Sequence, residues 1–221
     1  MSEKSFIYCD YIIQNYNIIY NNNCTGYGVA SLVHKRLAIN NMLLHPNGRL
    51  ILFDLDRVTH INLYLPAGQE AEARKSREDM ISKDLPDYLL LAQADGVLGG
   101  DFNCVSNPQD LTHLVDHKIS TNLQKLIRIK KMTDTFRHLQ PKVKTFSHFY
   151  TWKCGDGSMK QGGSRLDRSY SLGLDINQNG LSLYYLLFVP IKVNSTRSYN
   201  GSGLVDMIYF NNTIKVTYSS L

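Results

Sequence analysis

Runs of apolar residues separated by polar turns predict a chain of alternating strands and helices. Residues 50–55 and 60–65 are two apolar runs joined by Asp56-Arg57-Val58-Thr59, and this pattern predicts a β-hairpin. A further strand is expected at residues 28–33, after a glycine turn. Val97-Leu98 is expected to form a very short buried strand that runs into a glycine pair.

Longer segments between and after these strands have helical patterns. Residues 69–93 are dense in Ala, Glu, Lys, Arg and Leu, and Pro86 is expected to start a new helical segment within them. Residues 119–132 combine one apolar side with one basic side, which also indicates a helix. Two more strands are expected at residues 146–152 and 166–172. Helices interspersed with strands of mixed length indicate a layered α/β domain.

Composition indicates a globular protein and weakly indicates the kind of partner. The chain has 221 residues, of which 43% are hydrophobic and 19% charged, as in a folded domain with a substantial core. The formal charge of +5 mildly favours an anionic partner such as nucleic acid. The longest apolar run, residues 181–191, is too short to span a bilayer, and no charged-then-apolar leader begins the sequence. We therefore expect no membrane association and an intracellular location.

The first candidate catalytic residues lie directly after the strand at Val97-Leu98, in the segment Gly99-Gly100-Asp101-Phe102-Asn103. Because Asp101 and Asn103 are two residues apart, extended backbone would point their side chains the same way. The glycines would let the backbone turn and a substrate approach. A carboxylate that takes a proton from water, beside an amide that holds the water or a phosphate oxygen, suits hydrolysis. An ordinary Gly-Gly-Asp turn is the alternative when these residues are considered alone.

Three motifs, in this order, resemble the endonuclease/exonuclease/phosphatase superfamily. They are the sequences INLYLP at residues 61–66, GGDFN at residues 99–103 and SRLDR at residues 164–168. Within the superfamily they look most like the endonuclease domain of LINE-type (non-LTR) retrotransposons. The resemblance implies a DNase I-like fold, which is a layered α/β sandwich of two mixed β-sheets flanked by helices. It also implies Mg²⁺-dependent hydrolysis of a DNA phosphodiester, in the nucleus if the protein is functional.

The resemblance also implies roles for individual residues. Tyr64 would touch the scissile phosphate, Asp101 would act as the base, and Asn103 would position water or phosphate. Asp167 would orient a histidine near the end of the chain, because a carboxylate fixes the tautomer of an imidazole and stabilises its charged form. The alternatives from the residues alone are a strand tyrosine with a polar tip for Tyr64 and a surface ion pair for Asp167.

Basic residues are the expected contacts for DNA. Arg165 could contact phosphate or a neighbouring loop. Lys130, Lys131 and Lys144 belong to a basic stripe over residues 125–144 that could follow a phosphate backbone. A solvated helix face is an equally good interpretation of the stripe.

The family pattern covers residues 26–170 and is incomplete at both ends. Family members begin with a strand that bears an asparagine and a second strand that ends in the glutamate that holds the metal. Glu3 and Asp10 are the only acidic residues before Gly26, and neither matches that glutamate. Family members close with a histidine, whereas His148 is the last histidine of this chain. We therefore expect no imidazole beside Asp167.

These departures predict a degenerate domain over residues 1–193 that has lost its opening strands, and a C-terminal extension over residues 194–221. Mg²⁺ is implied as the ancestral cofactor, without an identified residue to hold it. Loss of the metal ligand and the histidine together is expected to leave little hydrolysis, because each such group contributes about 10²-fold or more. Two other interpretations stay open. One is a catalytically dead nucleic-acid-binding module, and the other is a non-functional relic of a mobile element.

Overall fold

The computed structural model describes residues 14–22, 28–112, 119–144, 146–153 and 156–174. The predicted loss of opening strands and the predicted boundary after residue 193 fall outside these ranges.

Short strands are the most numerous elements of the described chain. They are β1 (Tyr16–Asn22), β2 (Gly28–His34), β3 (Ile39–Leu44), β4 (Leu50–Leu55), β5 (Val58–Tyr64), β6 (Asp95–Asp101), β7 (Thr133–Asp134), β8 (His148–Lys153), β9 (Met159–Ser164) and β10 (Asp167–Leu172).

Helices fall between β5 and β6 and between β6 and β8. They are α1 (Ala71–Asp79), a π-helical turn (Met80–Asp84), α2 (Leu85–Leu91), α3 (Thr121–Ile129) and α4 (Thr135–Leu139), with a 3₁₀ turn at Pro108–Asp110. Within the described ranges, no helix combines the length and apolarity that crossing a bilayer requires.

A six-stranded mixed sheet organises these elements. Its spatial order is β3-β4-β5-β6-β10-β7, in which β5 and β6 are parallel and the other pairs are antiparallel. β1 pairs with β2, and β8 pairs with β9, in separate two-stranded antiparallel sheets. The predicted β4–β5 hairpin is confirmed, and Asp56 adopts a left-handed φ of 54° in its turn. The predicted strands that correspond to β2, β6, β8 and β10 are also confirmed.

The parallel pairing of β5 with β6 requires a crossover, which α1, the π turn and α2 supply. Pro86 lies in the first turn of α2, as predicted. The Leu85 N–H donates to the carbonyl of Met80, five residues earlier, so the wider π turn precedes the proline. The helical path therefore continues past a residue that has no N–H of its own.

Two hydrophobic cores lie on opposite faces of the central sheet. The large core joins sheet residues such as Leu63 and Leu98 to Ile81 in the crossover and Leu123 in α3. The small core packs the β1–β2 hairpin against the other face through Ile19, Val29, Val33, Ile51 and Phe53. Helices on one face and a hairpin on the other give the layered α/β architecture that the sequence predicts.

Gly100 is required by strand packing. It has a φ of 135°, and a Cβ added there would lie 1.9 Å from the carbonyl oxygen of Leu63 in β5. No side chain fits at that separation, so the parallel pairing itself demands glycine. Strand packing is thus a structural reason for glycine here, and the expected role in substrate approach stays a prediction.

Replacing Gly100 by Ala is expected to lower the free energy of unfolding by about 3 kcal/mol or more, through steric overlap added to an unfavourable φ. Gly157→Ala is the matched control, because Gly157 also has a positive φ, of 82°, but a Cβ there would meet nothing within 4 Å. The control should cost about 1 kcal/mol. Urea unfolding of both variants measures the difference. Equal losses of stability would show that the close approach of Leu63 is unimportant.

Candidate functional site

Three of the four predicted catalytic residues lie in one row across the central sheet. Tyr64 pairs with Asp101 in the parallel β5–β6 ladder, and Asp167 pairs with Asp101 in the antiparallel β6–β10 ladder. Residues in register on adjacent strands project from the same face of a sheet. Leu98 and Phe102 belong to the large core. By strand alternation, Asp101 therefore faces the other side, which carries the β1–β2 hairpin.

Asn103 reaches the same place by a different conformation from the predicted one. Its φ is 48°, so the backbone after Asp101 is not extended, and strand alternation does not align the two side chains. Instead the Asn103 N–H donates to Asp101 Oδ1 at 2.9 Å, and Asn103 Nδ2 donates to the Leu65 carbonyl at 2.8 Å. Asn103 therefore fixes one carboxylate oxygen and ties its own loop to the segment after Tyr64. The expected convergence of all four residues is present, and their catalytic roles stay predictions.

The segment that follows Tyr64 is held by a buried arginine. Arg77, in α1, is 3% exposed, and its Nη1 donates to the carbonyl of Pro66 at 2.7 Å and to that of Gly68 at 3.3 Å. The guanidinium carbon of Arg49 lies 5.2 Å from the centre of the Tyr64 ring. Tyr64 is thus half-buried at the end of β5, in a segment fixed from both sides.

His148 lies between the two carboxylates of the row. Its Nε2 is 3.9 Å from Asp101 Oδ2, and its Nδ1 is 3.7 Å from Asp167 Oδ2. The His148 side chain is 43% exposed, and that of Asp167 is 36% exposed. The prediction that no imidazole would lie beside Asp167 is wrong. It considers only residues that follow Asp167 in the sequence, whereas this histidine comes from β8, an earlier strand.

Ser147 sets the position of His148. The Ser147 Oγ accepts the N–H groups of Leu166 at 2.9 Å and Asp167 at 3.0 Å. The Ser147 N–H donates to the Ser164 carbonyl at 3.1 Å, and His148 pairs with Ser164 in the β8–β9 ladder. The start of β8 is therefore joined to the start of β10 at the point where Asp167 emerges.

Asp101 is the most strongly perturbed carboxyl group of the site. It is 5% exposed. Burial raises the pKa of Asp101 to about 6, and the negative charge of Asp167 acts in the same direction. The Asn103 N–H and the positive charges of His148 and Arg168 oppose this rise. A carboxyl group with a pKa near neutrality can exchange a proton under ordinary conditions, which is the property that a general base needs.

Arg165 is part of the scaffold. It is 3% exposed; its Nε donates to Asp110 Oδ1 at 3.0 Å, and its Nη2 donates to Asp110 Oδ2 at 3.2 Å. The same guanidinium also forms an ion pair with Asp134. Of the two contacts predicted for Arg165, this geometry favours the neighbouring loop over phosphate.

Arg168 is engaged on the large-core side of the sheet. Its Nη1 donates to the Tyr170 hydroxyl at 3.2 Å, and its Nη2 donates to the Cys104 carbonyl. Its guanidinium carbon lies 4.9 Å from the centre of the Phe102 ring. Both arginines that flank Asp167 in the sequence thus have other partners, so the alternative of a surface ion pair within this motif does not describe the arrangement.

The structure does not bring the predicted basic stripe to Asp101. Leu123 and Leu126 hold α3 in the large core, on the opposite face of the sheet from Asp101. The turn after α3 carries Lys130 and Lys131 into β7, which pairs with the second half of β10. Lys131 is exposed, as is Lys144 after α4. DNA that contacts these lysines would bind a different surface from the carboxylate row.

The described residues do not fit a magnesium site. Among them, no group of three or more His, Cys, Asp or Glu side chains could hold a metal ion. Asp101 Oδ1 accepts the Asn103 N–H, and Asp101 Oδ2 faces His148. Mg²⁺ prefers near-octahedral oxygen ligands, whereas the group that faces Asp101 Oδ2 and Asp167 Oδ2 is an imidazole.

Sequence reasoning missed His148, Ser147 and Arg77. His148 could have been identified, because a histidine near the start of a predicted strand is a candidate site residue. Its distance from Asp167 depends, however, on the β8–β9 hairpin, and the sequence pattern does not predict β9. Nothing in the sequence pattern identifies Ser147 or Arg77, because each side chain bonds to a backbone group that is distant in sequence.

Comparisons with known proteins give a fold likeness. No family model matches the chain, and no curated protein matches its sequence. The 3′ phosphatase NExo from Neisseria, solved with a product DNA hairpin, is similar with a TM-score of 0.56 at 19% identity, over 78% of this chain and 72% of that one. An AP endonuclease from Archaeoglobus fulgidus gives 0.55 at 16% identity, with the same coverages. The 3′-5′ exonuclease NExo from Neisseria meningitidis gives 0.53 at 20% identity, over 78% and 73%.

At these identities the likeness establishes the fold alone. The neighbours are proteins of the endonuclease/exonuclease/phosphatase fold, and the mixed six-stranded sheet with its helices matches their DNase I-like architecture. The predicted fold class is confirmed.

Asp101→Asn is expected to stabilise the protein at neutral pH. The pKa of Asp101 is raised from its ordinary value of 3.8 to about 6 in the folded protein, so folding free energy is lost as pH rises from about 3.8 to about 6 and the loss is constant above that. The variant avoids this cost. It should exceed the parent by about 1–3 kcal/mol near pH 7.5 and by little near pH 4.

Urea unfolding of parent and variant at each pH measures this gain. The comparison also cancels the opposite acid effect of His60, whose burial lowers its pKa to about 4 in both proteins. Asp87→Asn, at an exposed carboxylate of α2, is the control and should change stability by less than about 0.5 kcal/mol. A pH-independent difference for Asp101→Asn would contradict the perturbed carboxyl group.

Proposed function

We propose that this chain carries the phosphodiester-directed site of a DNA endonuclease that descends from a non-LTR retrotransposon, with a degenerate metal-binding part. The observation that carries the proposal is the row of Tyr64, Asp101 and Asp167, which β-sheet register brings together from three separate motifs. The fold supports it, because the solved neighbours include a 3′ phosphatase bound to product DNA and an AP endonuclease.

The chemistry that this row supports is attack of water on a phosphodiester. Asp101 accepts a proton from the water as the water oxygen forms its bond to phosphorus and the bond from phosphorus to the leaving ester oxygen breaks. The leaving oxygen keeps the electron pair of that bond and takes a proton from solvent. A pKa of about 6 leaves Asp101 mostly ionised near neutral pH and basic enough to accept that proton. Tyr64, at the end of β5, would offer its hydroxyl to a phosphate oxygen. Asn103 holds the Asp101 carboxylate through its N–H group.

The degenerate part concerns the divalent ion. The motif resemblance implies an ancestral Mg²⁺, which would stabilise the charge that develops on the phosphate. The described residues do not form that site, so the proposed steps use protein groups alone. The proposal therefore pairs a retained phosphodiester geometry with slow hydrolysis.

Catalysis is tested on two substrates of different difficulty. Supercoiled plasmid should not be nicked clearly above background in Mg²⁺, because an unactivated phosphodiester needs the charge stabilisation that this site lacks. Bis(4-nitrophenyl) phosphate has a much better leaving group and should be hydrolysed slowly. Asp101→Ala should reduce that hydrolysis by about 10²-fold or more, while Asp87→Ala should leave it unchanged.

The two results separate the parts of the proposal. Robust Mg²⁺-dependent nicking that disappears in Asp101→Ala would show that an unidentified residue holds the metal, and the degenerate part would be wrong. Hydrolysis of the activated diester that is equal in parent and Asp101→Ala would remove Asp101 as the base, and with it the proposed function.

DNA is the proposed partner, and the basic stripe is a proposed surface for sequence-independent DNA binding that is separate from the carboxylate row. The exposed cations of α3 and the following turn lie on a face that the cores leave to solvent, which suits sequence-independent phosphate contacts. Lys130→Ala with Lys131→Ala should weaken duplex binding at low salt. It should also reduce the slope of log affinity against log salt by about two, because each lysine is expected to neutralise one phosphate.

Fluorescence anisotropy of a labelled duplex, titrated at several salt concentrations, measures that slope. Lys35→Ala with Arg36→Ala removes the same charge from the exposed turn after β2 and is the control. If both double variants lower affinity and slope equally, net charge accounts for the binding and the stripe is not the contact surface.

A further inference from the structure

The Asp101–His148–Asp167 arrangement contains more than the proposed hydrolysis uses. Asp101 and Asp167 are direct neighbours across β6 and β10 and would repel an approaching phosphate anion if both were ionised. Between them lies one imidazole, with a different ring nitrogen facing each carboxylate. No other described ionisable group forms an ion pair with either carboxylate.

The two nitrogens of His148 differ in their surroundings. Nδ1 lies 3.7 Å from Asp167 Oδ2 and 3.2 Å from the Ser147 Oγ, so that side of the ring has a hydrogen-bond partner that orients it. Nε2 lies 3.9 Å from Asp101 Oδ2, which is an ion-pair distance but too long for a direct hydrogen bond. Its N–H is therefore able to donate to a third acceptor beside Asp101.

Access comes from the exposed side of the ring. Asp101 is 8% exposed in its side chain, whereas His148 is 43% exposed and forms the outer layer of the cluster. An anion that enters from solvent meets the imidazole before it meets the buried carboxylate.

We propose that His148 is the resident cation of this site, whose imidazolium offsets Asp101 and Asp167 and donates from Nε2 to an oxygen of one phosphodiester anion. This inference rests on the proposed function and names the group that admits its substrate. It assigns to a protein side chain the task of offsetting the charge of the two carboxylates. A metal ion would otherwise do this, and the described residues form no metal site. Ser147 and Asp167 are positioning residues, because they act through the ring and not on the phosphate.

Anion binding at such a site depends on pH with a definite sign. Protonation of Asp101, whose pKa burial raises to about 6, removes a negative charge from the cluster, so anion binding strengthens as pH falls. The charged groups that face the ring from the described elements are Asp101 on β6 and Asp167 on β10. Arg168, on the other face of the sheet, lowers the pKa of Asp101 through its positive charge.

The test uses dimethyl phosphate, the smallest phosphodiester monoanion, with the intact chain. Imidazole and backbone resonances are followed by NMR at about pH 5.5 and about pH 7.5, with acetate at equal concentration as the non-phosphate anion. We expect His148 to shift saturably with dimethyl phosphate, more tightly at the lower pH, while the exposed His138 on α4 does not. His148→Gln keeps a polar side chain and removes the charge. It should weaken binding roughly three- to tenfold, while the pH dependence that Asp101 contributes remains.

The outcomes are distinct. Dimethyl phosphate that shifts Gly100 and Asp101 equally well in parent and His148→Gln would overturn the role of His148 and leave the proposed phosphodiester site standing. Absence of any saturable shift in the Asp101 row of the parent would remove the phosphodiester site itself. Equal shifts of His148 and His138, or equal effects of acetate, would reduce the interaction to general ionic strength and overturn the inference.

Discussion

The close approach of the Leu63 carbonyl to Gly100 is the constraint on which the rest of the site depends. It allows β5 and β6 to run side by side in parallel at the point where both strands end, and this pairing sets Tyr64 opposite Asp101. The antiparallel β10 then brings Asp167 to the same row. Because side chains alternate along a strand, a slip of one residue in any of these ladders would turn the carboxylates away from one another. Backbone register therefore determines which side chains meet at the site.

Buried guanidinium groups hold the loops around this row. Arg165 links the 3₁₀ turn through Asp110 to β7 through Asp134, while Arg77 holds the segment after Tyr64 from the crossover helix. Removing one partner of such a buried pair costs about 3–5 kcal/mol, because the other charge stays buried without compensation. The loops are therefore tied to the sheet by interactions that tolerate little change, even though each loop is irregular.

Much of this arrangement could be predicted from the sequence, and the reasons for the failures are physical. The β4–β5 hairpin and the crossover helix follow from periodicity and from Pro86, and the motifs identify Asp101 and Asp167. The sequence pattern misses β3, because its apolar residues are exposed at a sheet edge, and it misses β9, because glycines weaken the strand pattern. It misses the role of His148, because order along the chain is not order in space. The pairing of β8 with β9, and the hydrogen bonds that Ser147 Oγ accepts from N–H groups at the start of β10, join residues distant in sequence, so no local pattern predicts them.

The Ser-Arg-Leu-Asp-Arg segment at residues 164–168 bears on how such motifs should be interpreted. Of its five residues, Asp167 alone turns toward the imidazole. Arg165 and Arg168 are buried in separate ionic and aromatic surroundings, and Leu166 belongs to a third small apolar cluster. A descendant without any hydrolytic activity would still lose its fold if most of these residues were substituted. Persistence of the motif in a lineage therefore measures selection for a folded chain. Selection for catalytic activity can be judged only by whether the aspartate is retained more strictly than the arginines beside it.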